Sequence, residues 1–331
     1  MSSSPTVDGA LVQWGERLFY PPNRIVRSPP TPRFDTLMRR KAAVIRGRIV
    51  ATVSRRAPQV MIKVTGGGRG MAAITAHFRY ISKNGRLEIE DDRGVSYRGK
   101  EALHGLADQW RYGGALIPEE GHRREAFNIM LSMPRGTDPG IVQRAAREFA
   151  AAELAGHRYV MVLHEHQANP HVHLSVRATA RDGSRLNPRK ADLHRWRETF
   201  AEKLRGWGVE AEATRQATRG ESRRFDPIWR LKARDEGRLA SALPSAAKSG
   251  EAYKDNRLRA MEAWVRIGEA LKQSDRADDQ ALARDIVQFL RQMPYAKELA
   301  RQRQRDLGMP TRVDALRPTQ TMQRPGPDIE R

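Results

Sequence analysis

The stretch Tyr159–Val176, YVMVLHEHQANPHVHLSV, decides how this chain is read. Its first end is a Val-rich apolar run, its second alternates His or Ser with apolar residues, and Glu165–Pro170 between them is mostly polar. The pattern predicts two strands, Tyr159–His164 and His171–Arg177, joined by a short loop. Alternate residues of a strand share a face, so His171 and His173 project to one side and Val172 and Leu174 to the other. His164 ends the first strand on the face of Val160 and Val162, and pairing the strands sets it opposite the His171/His173 pair. Three imidazoles then meet at about metal-ligand distance and leave coordination positions open for substrate oxygens, as in a catalytic rather than a structural site. A single strand histidine is more often a polar filler, and an H-x-H pair arises by chance. Three of the chain's nine histidines in this arrangement favour the metal-site reading. His166 shares the face parity of His164 and reads as a substitute ligand or as a neighbour that orients one.

Working outward, the same alternation over Phe127, Ile129, Leu131 and Met133 predicts another half-buried strand, and Gln59–Val64 predicts a third, stopped by Gly66–Gly68. Helices are predicted over Met71–Ser82 (Ile74, Phe78 and Ile81 in register, with Gly85 to end it), over Glu101–Tyr112 and over Lys190–Trp207. Asp138-Pro139 offers an N-cap and a first-turn proline ahead of the stripe Ile141, Val142, Ala145, Ala146, Phe149 and Leu154. From about Phe225 onward the pattern is helical. The fold class expected is α+β: a central antiparallel sheet with flanking helices, followed by a mostly helical C-terminal region.

Composition narrows the chemistry. The 331 residues carry 60 Lys or Arg against 39 Asp or Glu, a net charge of +21, which points to a polyanionic partner, nucleic acid first. No apolar run is long enough to span a bilayer and the N-terminus lacks a signal-peptide pattern, so a cytoplasmic protein without membrane insertion is expected. With no cysteine there is neither a disulfide nor a thiolate ligand or nucleophile. Residues 21–60 hold ten basic residues against Asp35 alone. Residues 1–57 therefore read as a flexible basic arm with a short helix around Thr36–Val53. Together with Arg215, Arg219, Arg223 and Arg224, this arm supplies candidate phosphate contacts.

A nucleophile has to be found among the remaining residue types. There is no G-x-S-x-G elbow and no phosphate loop, and Gly66–Gly70 fails as a dinucleotide fingerprint where Met71 stands. A tyrosine is left for covalent catalysis. Tyr80 ends the first predicted helix off its apolar stripe, with Arg79 and Lys83 beside it to favour a phosphate or a phenolate. On local features alone it reads more readily as a partly buried amphipathic ring packed on the sheet.

Several blocks occur in an order that resembles the relaxase (mobilisation nuclease) family of HUH-type tyrosine endonucleases, and within it the T-DNA border endonuclease branch. TGGGRGMAAITAHFRYISKNGRLEI resembles the family's first motif and puts Tyr80 at the nucleophile. LADQW resembles a following helix. IMLSMPRGTDPG resembles the second, DNA-contacting motif and brings Thr137 forward. HEHQANPHVHLSV resembles the third, whose metal ligands fall on His164, His171 and His173, and ATRQATRG resembles a basic stretch closing the domain. The resemblance covers residues 60–220, about half the chain.

The resemblance implies an HUH relaxase-like catalytic domain over residues 58–222, followed by a helical accessory region at 223–300 and an Arg/Pro-rich tail at 301–331. It implies metal-assisted nicking of single-stranded DNA at an origin of transfer. Magnesium or manganese would be the ion, with zinc or nickel as the alternative that three imidazoles suit. The expected partners are origin DNA, accessory DNA-binding proteins and a type IV secretion coupling protein. RQRQR (Arg301–Arg305) would be an export signal, and the protein would leave the bacterial cytoplasm attached to DNA. The family pattern has an acidic residue where His166 stands. The group that orients a ligand or assists deprotonation is thus expected to be His166 or a carboxylate among Glu88, Glu90, Asp91 and Asp92. A rolling-circle replication initiator shares this chemistry but places its tyrosine after the histidines. A non-catalytic basic nucleic-acid-binding protein and a water-activating metal hydrolase are the further alternatives.

Overall fold

The structure, a computed structural model, describes residues 7–20, 34–166, 169–221 and 250–306, with Ala233, Gly237 and Arg238. The chain divides into two compact units, residues 1–215 and 216–331. The first is built on a six-stranded, wholly antiparallel sheet in the order β1-β4-β6-β5-β2-β3. The strands are β1 (Met61–Gly66), β2 (Ile89–Asp91), β3 (Ser96–Tyr97), β4 (Ala126–Ser132), β5 (Tyr159–His164) and β6 (His171–Arg177).

Register separates the two faces of this sheet. Ile62 lies opposite Leu131, Leu131 opposite Val172, and Val172 opposite Leu163. With Phe127, Ile129, Met161, Leu174 and Val176 they form one apolar face. It is closed by α5 (Pro139–Glu153) and α6 (Lys190–Gly206), whose Val142, Ala145, Phe149, Trp196, Phe200 and Leu204 are buried against it. Phe149 meets Trp196 and Phe200 edge-on at 6.1 and 6.2 Å between ring centroids. Helix α5 starts where the sequence indicates: the Asp138 side chain accepts from the Ile141 amide at 3.0 Å and Pro139 occupies the first turn.

The opposite face is only partly covered. Helices α3 (Met71–Ile81) and α4 (Lys100–Tyr112) bury Ile74, Phe78, Leu103, Leu106 and Trp110 against Val160 and Val162. Toward β1 the same face carries exposed Lys63 and Thr65 and half-buried Asn128 and Met130. The glycines before α3 serve close packing: a Cβ on Gly67 would sit 2.2 Å from the Ala126 carbonyl oxygen, and one on Gly70 2.3 Å from that of Glu119. They let the chain leave β1, which extends to Gly66 through a bulge, and turn over the sheet edge into α3.

Within the arm expected over residues 1–57, the helix expected around Thr36–Val53 is α2 (Phe34–Val53), and a second helix, α1 (Val7–Phe19), stands where flexible chain was expected. Ala42, Ile45, Ile49 and Val53 recur at helical spacing and are buried. Arg48 reaches Glu198 of α6 at 2.8 Å and Glu212 at 3.2 Å. Much of the basic charge of this region thus decorates, or is paired within, a packed helix. Residues 21–33 of the expected arm lie outside the described residues.

The second unit contains α7 (Glu251–Lys272), α8 (Ala277–Gln292) and α9 (Pro294–Asp306). Trp264 packs edge-on to Phe289 at 5.5 Å, and its indole N–H donates to the Thr218 carbonyl at 2.7 Å. Helix α9 carries the backbone to Asp306, while residues 307–331 of the expected tail lie outside the described residues. Among the described residues no helix is long and apolar enough to cross a membrane.

Candidate active site

Strands β5 and β6 bring the three histidines together on the partly covered face. His164 pairs directly with His171, and His173 lies opposite Val162. The ring centroids of His164, His171 and His173 are 4.6 to 5.0 Å apart. One nitrogen from each lies within 4.8 Å of the other two.

Two of the rings are oriented by backbone carbonyls. The last carbonyls of an α-helix have no partner within the helix, and that of Ile81, at the end of α3, is taken by His164 Nε2 at 2.6 Å. His171 Nδ1 meets the Asn169 carbonyl at 2.9 Å. A carbonyl only accepts, so each of these nitrogens bears the proton and the other nitrogen of each ring keeps its lone pair. The orienting group expected from His166 or a nearby carboxylate is therefore main chain. Glu90 is held bidentately by Arg147 at 2.7 Å, Asp91 by Arg93 and Asp92 by Arg181, both at 2.6 Å, and Glu88 is exposed.

The donor set fits a divalent cation. His164 Nδ1 is buried without a hydrogen-bond partner among the described residues, a cost that a Lewis acid at the centre of the cluster relieves. Burial also holds the rings in the neutral form that ligation requires: it lowers the pKa of His173 to about 3 and, more modestly, that of His164.

Tyr80 lies on α3, whose end meets the cluster through Ile81. Its side chain is 66% exposed, in contrast to the buried Phe78 and Ile81 on either side. One turn earlier, His77 lies between Tyr80 and the triad: its ring is stacked with that of Tyr80 at 6.2 Å and stands edge-on to His173 at 6.5 Å. Nothing in the linear sequence singles out His77 except its i, i+3 spacing from Tyr80. After Ile81 the chain makes a left-handed turn through Lys83, Asn84 and Gly85, and Gly85 N donates to Ser82 Oγ at 3.0 Å. The turn leaves Lys83 near enough for its charge to depress the ionisation of His164 and His166.

Residues 80–209 match the family model described as Relaxase: MobA/VirD2-like, nuclease domain. The match spans 130 of the 331 residues, and that segment is similar to relaxase-type nuclease domains. The T-DNA border endonuclease VirD2 of Agrobacterium fabrum is 27% identical over 186 residues, which is 49% of this chain and 41% of that protein. The VirD2 protein of Rhizobium radiobacter is 26% identical over 186 residues, covering 49% and 43%. The chain thus spans less than half the length of the curated relatives it matches. The family match begins at Tyr80, so His77 and the glycine turn precede it.

Other residues expected to serve this relaxase-type domain fall into two groups. His166 is exposed, with its ring 5.0 Å from that of His164, and Arg79 is exposed beside Tyr80. Thr137 sits in the loop after β4, bonded to the Pro134 carbonyl at 3.0 Å. Ser132 at the base of that loop pairs with His171, so the loop leaves the sheet at the end where the triad lies. Arg215 and Arg219 are placed differently. The Arg215 guanidinium is spent on the Leu18 carbonyl, at 3.0 Å, and on that of Arg17, closing the C-terminus of α1. Arg219, in the second unit, pairs with Glu221 at 3.0 Å and keeps 14% of its side chain exposed. Neither offers the open guanidinium that phosphate contact needs. Arg223 and Arg224 lie outside the described residues.

Proposed function

We propose that this protein is a relaxase that nicks single-stranded DNA at an origin of transfer, with Tyr80 as nucleophile and His164, His171 and His173 as the ligands of a divalent ion. The observation that carries the reading is the convergence of three ring nitrogens within 4.8 Å, one aromatic ring away from an exposed tyrosine on a helix end that the triad itself grips. Tyr80 Oη attacks the scissile phosphorus and a tyrosyl–phosphate bond forms as the bond to the 3′-oxygen breaks. The phenolic proton passes to His166, and the departing 3′-oxygen takes up a proton to become a hydroxyl. One phosphodiester replaces another, so the step is nearly isoenergetic and its reversal rejoins the strand. A phenol is a weak nucleophile near neutral pH, and Arg79 and Lys83 place positive charge beside it.

A bound divalent cation supplies compensation for the charge that develops on the non-bridging oxygens. Magnesium or manganese would fill the role, and zinc or nickel suits three imidazoles equally. Arg79, Lys83 and Thr137 hold the strand on either side of the scissile phosphate. Acting from the cytoplasm with accessory DNA-binding proteins, the covalent complex would pass to a type IV secretion coupling protein, with Arg301–Arg305 as its signal.

The test is a labelled oligonucleotide spanning a candidate origin, incubated with the protein and manganese or magnesium. The expected product is a 5′-phosphotyrosyl adduct with a free 3′-hydroxyl. Tyr80→Phe should bind the oligonucleotide and form no adduct. Cleavage without any adduct would replace this reading with a water-activating hydrolase.

A further inference from the structure

Each histidine of the triad offers one nitrogen to the cluster, and metal-ligating imidazoles almost always have the other nitrogen held by a hydrogen bond that fixes tautomer and ring orientation. For His164 the partner is the Ile81 carbonyl, and for His171 it is the Asn169 carbonyl. His173 has no such carbonyl: its Nδ1 is buried without a partner among the described residues. A second ring nitrogen is in the same condition. His77 Nε2, on α3, is likewise buried and unpartnered, and its ring stands edge-on to His173 with 6.5 Å between centroids. Two orphaned imidazole nitrogens on neighbouring rings are complementary, because a neutral imidazole can donate at one nitrogen and accept at the other. One ring rotation or one bridging water satisfies both.

We propose that His77 is the positioning residue of His173, supplying the hydrogen bond that backbone carbonyls supply to His164 and His171. The inference rests on the triad being a metal site. It also gives His77 a second consequence. The face of its ring is stacked with Tyr80 at 6.2 Å and 28° between planes, so the imidazole that orients the ligand also sets the rotamer of the proposed nucleophile. Both ends of α3's last turn are then tied to the cluster, His77 through His173 and Ile81 through His164. The order of the ion site and the placement of the phenol become one property.

The test is metal binding by the full chain, read by calorimetry with manganese and by the visible absorption of the cobalt-substituted protein. His77→Phe keeps an aromatic ring beside Tyr80 and removes the hydrogen bond. His77→Gln returns a polar amide near the position of Nε2. The expected result is a loss of about 10-fold or more in affinity for His77→Phe, with an altered cobalt spectrum and an unchanged far-ultraviolet circular dichroism spectrum. His77→Gln should recover most of the affinity. A merely space-filling role predicts the reverse order, with Phe benign and Gln harmful. Wild-type affinity in His77→Phe, or a loss in both variants alike, overturns the assignment. His173→Ala separates the two levels of the argument: if it binds the ion as tightly as the wild type, the triad reading fails and the inference falls with it.

Discussion

The two faces of the central sheet are made from the same strands and solve opposite problems. On one, α5 and α6 close over an unbroken apolar surface, and Phe149, Trp196 and Phe200 interlock at its centre. On the other, α3 and α4 cover part of the sheet, and the remainder holds His164, His171 and His173 with two buried nitrogens unpaired among the described residues. Along β6 parity separates the two tasks: Val172 and Leu174 face the closed side, His171 and His173 the open one. One face supplies the stability that lets the other hold polar groups at a cost.

That contrast breaks most sharply under substitution. Phe149→Ala removes a ring from the closed face and should destabilise the protein by about 3–5 kcal/mol, as measured by urea denaturation. His173→Ala, at a half-buried position on the open face, should cost far less and yet abolish high-affinity metal binding. Equal destabilisation by the two changes would mean the open face is structural after all.

A pH series sharpens the comparison next. Burial lowers the pKa of His173 to about 3 and that of His77 to about 4 from an ordinary 6.5. Between those folded values and 6.5 the unfolded chain binds more protons than the folded one, so stability must fall as pH drops through this window. The metal-free protein should show a falling Tm from pH 7 to pH 4.5, and His77→Phe should make the slope shallower. Since α5 and α6 close their face with apolar groups, Phe149→Ala should shift the whole curve down without changing its slope.

The smallest expected effect lies at the rim of the open face. Lys83→Ala should weaken binding of single-stranded DNA and reduce the log–log salt slope by about 0.7, the contribution of one neutralised phosphate. An unchanged slope would place Lys83 off the strand's path.

Much of this was legible in the chain. The β5–β6 pair announces itself because period-two alternation and an H-x-H spacing coincide, and α5 because Asp138-Pro139 marks its first turn. Helix α2 is legible as a helix but not as a packed one: its buried stripe Ala42, Ile45, Ile49 and Val53 is interleaved with Arg39, Arg40, Lys41, Arg46 and Arg48, and charge counting submerges the stripe. Helix α1 lies in the stretch that reads as a basic arm, which hides its buried Leu11, Leu18 and Phe19. Strands β2 and β3, three and two residues long, are too short to show a period. Arg215 misled because a basic side chain closing a helix end looks, in sequence, like one awaiting a phosphate. In the site, the triad could be derived from strand parity. The Ile81 carbonyl could not, since any residue supplies a carbonyl, and the His77–His173 contact joins residues that only the packing of α3 over the sheet brings together.

The central claim is that the open face is a reaction centre whose nucleophile is Tyr80. Its most direct test is to trap the protein on an origin oligonucleotide, digest the covalent complex and locate the attached nucleotide by mass spectrometry. The account predicts a single modified peptide carrying the nucleotide on Tyr80. A nucleotide on Tyr97 or Tyr112, or strand cleavage with no modified tyrosine, would contradict it.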